Sequence, residues 1–199
     1  MIAVITGDVI NSREGNATNW LSGLKEVLNQ YGVDPSEWEI FRGDSFQLKV
    51  KPSSALLASL HIKAALKLSA RKDVRIAIGI GDEEYPAKKI TESNGTAYIH
   101  SGDCFESLKK QTIAVNTGNE KIDESVNLML MLALLTADNW SPIVSEIIKT
   151  SIENPEEYQK VLAKKLNKSQ STVSEALKRG GYDEILKLNY YFQNQISSL

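Results

Sequence analysis

The apolar and polar positions of the first 118 residues follow strand and helix periods in turn, which predicts the order β-α-β-β-α-β-α-β. The strands are predicted at residues 2–8, 39–42, 45–50, 74–80 and 112–115. The helices are predicted at residues 20–31, 53–72 and 95–109, with a loop at residues 11–19. Ala77 and Gly79 indicate that another element approaches one face of the fourth strand closely. His61, in the second helix, is typical of a packed or surface residue and is assigned no role.

This order contains the split βαββαβ unit of ferredoxin-like folds, in which helices cover one face of an antiparallel sheet. Right-handed crossovers make the first strand central, beside the hairpin of the second and third strands. Asp8, at the predicted end of the first strand, then lies close to Asp44 in a predicted two-residue Gly43-Asp44 turn. We expect an α+β chain with this ferredoxin-like domain at residues 1–118.

The predicted closeness of Asp8 and Asp44 has an electrostatic consequence. Two carboxylates about 4 Å apart repel by roughly 4 kcal/mol at an effective dielectric of about 20, so such a pair needs a cation or a shared proton. Mg²⁺ is the expected cation. The alternative is that both Gly-Asp motifs are ordinary turns with solvated aspartates.

The rest of the chain is predicted to be helical. Residues 120–137 are apolar on nearly all faces of a helix, which predicts burial on several sides. We expect this connector, residues 119–139, to lie between two domains or across a dimer interface. A further helix starts at Ser141-Pro142 and a last one covers residues 185–196, within an all-α domain at residues 140–199.

Residues 162–179 have the pattern of a helix-turn-helix. Asn154 and Pro155 predict the start of its first helix, with Glu157 closing a capping box. This helix is expected to run to Leu166.

The second helix of the motif follows a sharp turn at Asn167, a residue that tolerates the left-handed region. Ser169 is the predicted N-cap, and Val173 and Leu177 are the predicted buried residues. The positions predicted to contact double-stranded DNA are Ser169, Gln170, Ser171, Thr172, Ser174, Lys178 and Arg179. The alternative is an amphipathic helical hairpin that does not touch DNA.

Charge is distributed unevenly along the chain. Residues 155–181 carry six basic and three acidic residues, whereas the whole chain has a net charge of −2. A basic module on a mildly acidic protein predicts modest phosphate affinity per copy, so we expect a homodimer.

Length and composition describe an ordinary soluble globular protein, with 199 residues, 24% charged and 42% hydrophobic. A single cysteine, Cys104, excludes an internal disulfide and a multi-cysteine metal site. The first residues lack the features of a secretory signal, and the most apolar run, residues 128–135, is too short to cross a bilayer. We therefore expect a cytoplasmic protein without membrane contact.

Four segments of the chain resemble motifs of class III nucleotidyl cyclases: ITGDVINS, FRGDSFQL, VRIAIGIG and NGTAYIHSGDCFESL. Joined to the C-terminal helix-turn-helix, the whole chain resembles the SatD family, a bacterial group with a cyclase-like first domain. The resemblance implies that Asp8 and Asp44 match the two metal-binding aspartates of a cyclase. It also puts Ile99 and Asp103 where a cyclase has its asparagine and arginine. Neither side chain supplies the needed donor, so cyclisation of a nucleoside triphosphate is not expected.

Three functions fit these patterns. The leading hypothesis is a transcription regulator whose cyclase-like domain binds a small ligand, such as a nucleotide, or dimerises, while the C-terminal module binds DNA. The second is a metal-dependent nucleotide-processing enzyme with an appended helix-turn-helix. The third is a protein-protein adaptor.

Overall fold

A five-stranded mixed sheet lies at the centre of the first half of the chain. The structure, a computed structural model, describes residues 1–14 and 17–199. The strands are β1 (Ile2–Ile10), β2 (Trp38–Phe41), β3 (Ser45–Val50), β4 (Asp73–Gly81) and β5 (Ile113–Asn116). Their order is β2-β3-β1-β4-β5, with β4 and β5 parallel and the other pairs antiparallel. β1 is therefore central and lies beside the hairpin strand β3, as predicted.

Eight α-helices lie in the described ranges, and together with the sheet they confirm the α+β class. They are α1 (Ala17–Tyr31), α2 (Ala55–Ala70), α3 (Thr96–Ser107), α4 (Glu120–Ala137), α5 (Pro142–Glu153), α6 (Gln159–Lys165), α7 (Gln170–Gly180) and α8 (Tyr182–Ile196). α1 begins inside the loop predicted at residues 11–19, of which residues 15 and 16 lie outside the described residues.

Different helices cover the two faces of the sheet. α1 and α2, the helices of the βαββαβ unit, share one face with Ile5 and Ile78. α3 packs on the opposite face, where Val4 meets Ala97. A Cβ atom on Gly79 would lie 2.2 Å from the Ala97 carbonyl oxygen, far inside van der Waals contact. The predicted close approach to the fourth strand is therefore confirmed, and the approaching element is α3.

The helix buried on nearly all sides is α2. Residues 55–67 are all buried except Leu57, because α2 packs between the sheet and α5. Its buried residues include His61, which is 1% exposed. Of the two interpretations offered for a lone helical histidine, the packed one is confirmed.

α4 lies at the surface, against β5, α7 and α8, and buries only one face. The buried residues are Ile122, Val126, Leu130, Leu134 and Ala137. Leu128, Met131, Leu132 and Leu135, here called the α4 apolar stripe, are exposed on the other side. The prediction of burial on several sides is therefore wrong for the single chain. A dimer interface on the stripe stays a prediction. Within the described ranges, no helix has the length and apolarity that a membrane crossing requires.

One hydrophobic core continues across the predicted domain boundaries. The same cluster contains Ile5 of the sheet, Leu60 of α2, Ile148 of α5 and Phe192 of α8. The division of the chain into domains at residues 1–118 and 140–199, with a connector at residues 119–139, stays a prediction. In the folded chain these units share a core, so α5 to α8 are held on the sheet through both α2 and α4.

Candidate functional site

Helices α6 and α7 are joined by a tight turn at the position that the sequence predicted. Asn167 has a φ of 50°, in the left-handed region, and the Lys168 N–H donates to the Ala163 carbonyl at 2.9 Å. Leu162 and Ala163 on α6 are buried against the neighbouring helices. The turn directs the chain straight into α7.

The first turn of α7 is capped as predicted. The Ser169 Oγ accepts a hydrogen bond from the Thr172 N–H at 3.1 Å. Val173 and Leu177 are buried. At the other end of α7 a Cβ on Gly180 would lie 2.5 Å from Ile148 Cδ1 of α5, so a larger residue here would have to displace side chains of α5. α5, α6 and α7 thus form one packed three-helix unit.

The predicted start of the first helix of this motif is wrong. α5 runs to Glu153, and Asn154 ends it, donating from Nδ2 to the Thr150 carbonyl at 2.8 Å. The Glu157 carboxylate lies 3.3 Å from Lys165 Nζ and does not close a capping box. α6 starts only at Gln159, because the preceding residues turn between the two helices.

The outer face of α7 is polar. Of the residues predicted to contact DNA, Thr172 is half-buried, and the exposed ones are Ser169, Gln170, Ser171, Ser174, Lys178 and Arg179. Sequence reasoning omitted Glu175, which is also exposed and lies four residues after Ser171 and three before Lys178. Helical spacing therefore puts a carboxylate in the middle of this face, a signal that was readable from the sequence.

Some basic residues near α7 form ion pairs within the chain and others do not. Lys165 pairs with Glu157, and Lys168 pairs with Glu146 at 2.9 Å. In the described part of the chain the basic residues of this unit without an ion pair are Lys160, Lys164, Lys178 and Arg179. Four cations thus remain available to an anionic partner.

A second candidate site lies beside the central strand β1 and the β2-β3 hairpin loop, where Asp8 and Asp44 line one pocket of about 530 Å³. β1 continues past Asp8 to Ile10, so Asp8 lies within the strand and not at its end. The hairpin turn also differs from the prediction. Phe41 pairs with Ser45, so the loop has three residues, with Arg42 and Gly43 both at positive φ. The extra residue still leaves Asp44 in the pocket.

Arg75 of β4 pairs with Asp8 in this pocket, which sequence reasoning missed. Its Nε donates to Asp8 Oδ1 at 3.0 Å and its Nη2 donates to Oδ2 at 2.6 Å. These hydrogen bonds raise the pKa of the guanidinium. The guanidinium also lies over the Phe105 ring, 5.3 Å from its centroid. Asp44 accepts a hydrogen bond from the Ser12 hydroxyl.

These contacts allow a test of whether the residues fit Mg²⁺. Two carboxylates are enough in number, because Mg²⁺ keeps several waters. Both oxygens of Asp8 are, however, engaged by Arg75, and no three His, Cys, Asp or Glu side chains come together among the described residues. The donor set as arranged does not fit a divalent cation. Metal ligation by Asp8 and Asp44 stays a prediction.

The two α3 positions that the cyclase resemblance singled out both face away from the sheet. Ile99 is 53% exposed and Asp103 is exposed. Neither residue lines the pocket of Asp8 and Asp44. An apolar and an acidic side chain offer no positive donor to a phosphoryl group.

The sequence model of the SatD family matches residues 1–197. No curated protein and no solved structure gives a significant match. Because the match spans nearly all of the 199 residues, the chain belongs to the SatD family.

Proposed function

We propose that the chain is a DNA-binding transcription regulator in which α6 and α7 act as a helix-turn-helix and α7 enters the major groove. The observation that carries the proposal is the polar outer face of α7. This helix begins directly after a tight turn, and Ser169 caps its first turn. A recognition helix reads base edges with residues of this kind near its N-terminus. Gln170 and Ser174 are suited to such hydrogen bonds, and both are exposed.

Phosphate contacts would come from the four unpaired cations, Lys160, Lys164, Lys178 and Arg179. Such contacts position a protein on DNA without reading sequence. Because four cations on a chain of net charge −2 give modest affinity, the regulator acts as a homodimer with recognition helices about 34–36 Å apart. The α4 apolar stripe supplies the surface for a second copy, since its exposed residues recur at helical spacing.

The first domain is proposed to be a ferredoxin-like, cyclase-like unit that senses a ligand, such as a nucleotide, or supports the dimer without catalysis. Ile99 and Asp103 support this view, because neither can neutralise the charge that develops on a phosphoryl group. A cytoplasmic location agrees with a role in transcription. We put forward no enzyme function, since the Asp8 carboxylate is already paired with Arg75.

The test measures binding to duplexes from the chain's own promoter region by fluorescence anisotropy over a range of salt. If Gln170 and Ser174 contact bases, Gln170→Ala and Ser174→Ala should each reduce the binding free energy for the preferred duplex by about 1–3 kcal/mol. Their binding to unrelated DNA should change little. Lys178→Ala should weaken binding to all sequences and reduce the salt slope by about one unit. Lys25→Ala, an exposed lysine on α1, is the matched control and should change nothing.

Two results would contradict the proposal. One is wild-type protein that binds no duplex at any salt concentration. The other is binding that is equally weakened by Lys25→Ala and Lys178→Ala, because a general charge effect would then replace a defined interface.

A further inference from the structure

The pocket lined by Asp8 and Asp44 contains a cation that the chain itself supplies. Arg75 lies directly opposite Asp8 in the antiparallel register of β1 and β4. Its planar fork matches both oxygens of one carboxylate, at 3.0 and 2.6 Å. The repulsion expected between the two aspartates is thereby reduced without a bound ion.

Arg75 is held in this position by its surroundings. The neighbouring residues Val74 and Ile76 are fully buried on the other face of the sheet, so strand alternation points Arg75 toward the pocket. The Phe105 ring of α3 lies beneath the guanidinium and favours its charge. Moving Arg75 away from Asp8 would break a bidentate pair and a ring contact together.

We propose that Arg75 is a resident counter-ion that takes the place of a divalent cation and keeps the pocket of Asp8 and Asp44 free of metal. The guanidinium competes for the same two Asp8 oxygens that a metal would need. Asp44, with the Ser12 hydroxyl donating to it, remains as the second carboxylate. A divalent ion close to a fixed guanidinium also meets charge repulsion. The proposal does not depend on DNA binding.

The experiment titrates the full-length protein with Mn²⁺, following free Mn²⁺ by electron paramagnetic resonance and stability by thermal unfolding. Wild-type protein should show neither specific binding nor a rise in Tm. Arg75→Met, which keeps an unbranched apolar stem and removes the charge, should bind Mn²⁺ at least about tenfold more tightly and gain a Mn²⁺-dependent rise in Tm. Adding Asp8→Asn to Arg75→Met should abolish both gains. Arg75→Lys is the matched control: it keeps the positive charge without the two-donor fork, and it should bind Mn²⁺ less tightly than Arg75→Met.

Two results would overturn the proposal. One is wild-type Mn²⁺ binding that Asp8→Asn or Asp44→Asn weakens. The other is an Arg75→Met variant, folded by circular dichroism, that binds no better than wild type. If Arg75→Met does not fold, the wild-type titration decides. The proposal is supported if the wild-type protein does not bind Mn²⁺ and Asp8→Asn lowers Tm, because Arg75 then loses its partner. It is refuted if the wild-type protein binds Mn²⁺ and Asp44→Asn abolishes that binding.

Discussion

The junction between α2 and α5 predicts a pH dependence of stability centred on His61. His61 Nδ1 lies 3.0 Å from the Tyr31 hydroxyl on α1, and its Nε2 lies 3.3 Å from Glu153 Oε1 on α5, although the latter is not aligned for a hydrogen bond. Glu153 also pairs with Lys149 at 2.7 Å, and Lys149 pairs with Glu26 of α1 at 2.8 Å. Three helices therefore meet around one buried imidazole.

Burial lowers the pKa of His61 to about 4, and the attraction of Glu153, which raises it, is too weak to compensate. Histidine in the unfolded chain has a pKa near 6.5, so on acidification the unfolded state takes up this proton first. Stability therefore falls between about pH 6.5 and pH 4, and this group adds no further change outside that window. The total loss is on the order of 3 kcal/mol, at about 1.4 kcal/mol per pH unit.

The assay is urea unfolding followed by tryptophan fluorescence at several pH values between 7.5 and about 4.5. Wild-type stability should fall by about 2 kcal/mol from about pH 6.5 to about pH 5, whereas His61→Gln should lose most of this slope. Ser59→Ala is the matched control, since Ser59 is fully buried on the same helix and does not titrate. The pKa of Glu153 is lowered, so its contribution to stability is lost mainly as the pH falls below about 4.5, under the assayed range. An unchanged slope in His61→Gln would refute the reasoning.

Two further predictions concern the proposed assembly and its DNA face. Leu132 is 63% exposed, so Leu132→Lys should leave the fold intact. In sedimentation at micromolar concentration the wild-type protein should be a dimer and the variant a monomer, and a monomeric wild type would contradict the α4 interface. Glu175→Gln removes a carboxylate from the proposed DNA-binding face, so it should strengthen binding to unrelated DNA. If Glu175 accepts a hydrogen bond from cytosine, the same substitution should also alter base preference. Unchanged anisotropy titrations would count against α7 facing DNA.

Local features were predictable from sequence wherever the backbone requires one residue type. Asn167 adopts the left-handed turn and Ser169 caps α7 because each role is decided within a few residues of the chain. Gly79 likewise signalled a close approach, although not which element approaches. Asn154 shows the limit of local signals, since the same side chain is suited to starting a helix or ending one.

Contacts between distant segments could not be predicted in this way. Asp8 and Arg75 are both visible in the sequence, and alternation places Arg75 opposite the buried face of its strand. That these two residues face each other depends on the register of β1 against β4, which no local pattern specifies. The requirement for a cation near Asp8 was thus derivable, but the identity of that cation was not.

The buried lysines of α2 show the same limit at the junction of the predicted domains. A lysine in a helix is ordinarily exposed, yet Lys63 is fully buried, with Nζ 2.6 Å from both Asp73 Oδ1 and Asp138 Oδ1. Lys67 Nζ lies 2.9 Å from Asp73 Oδ2 and donates to the Asp138 carbonyl at 2.6 Å. Asp138 directly follows the last residue of α4, so these contacts hold the C-terminal end of α4 against α2 and β4. Losing one partner of a buried charge is destabilising, so residues 1–118 alone, in which Lys63 keeps Asp73 but loses Asp138, should be less stable than the same residues in the full chain.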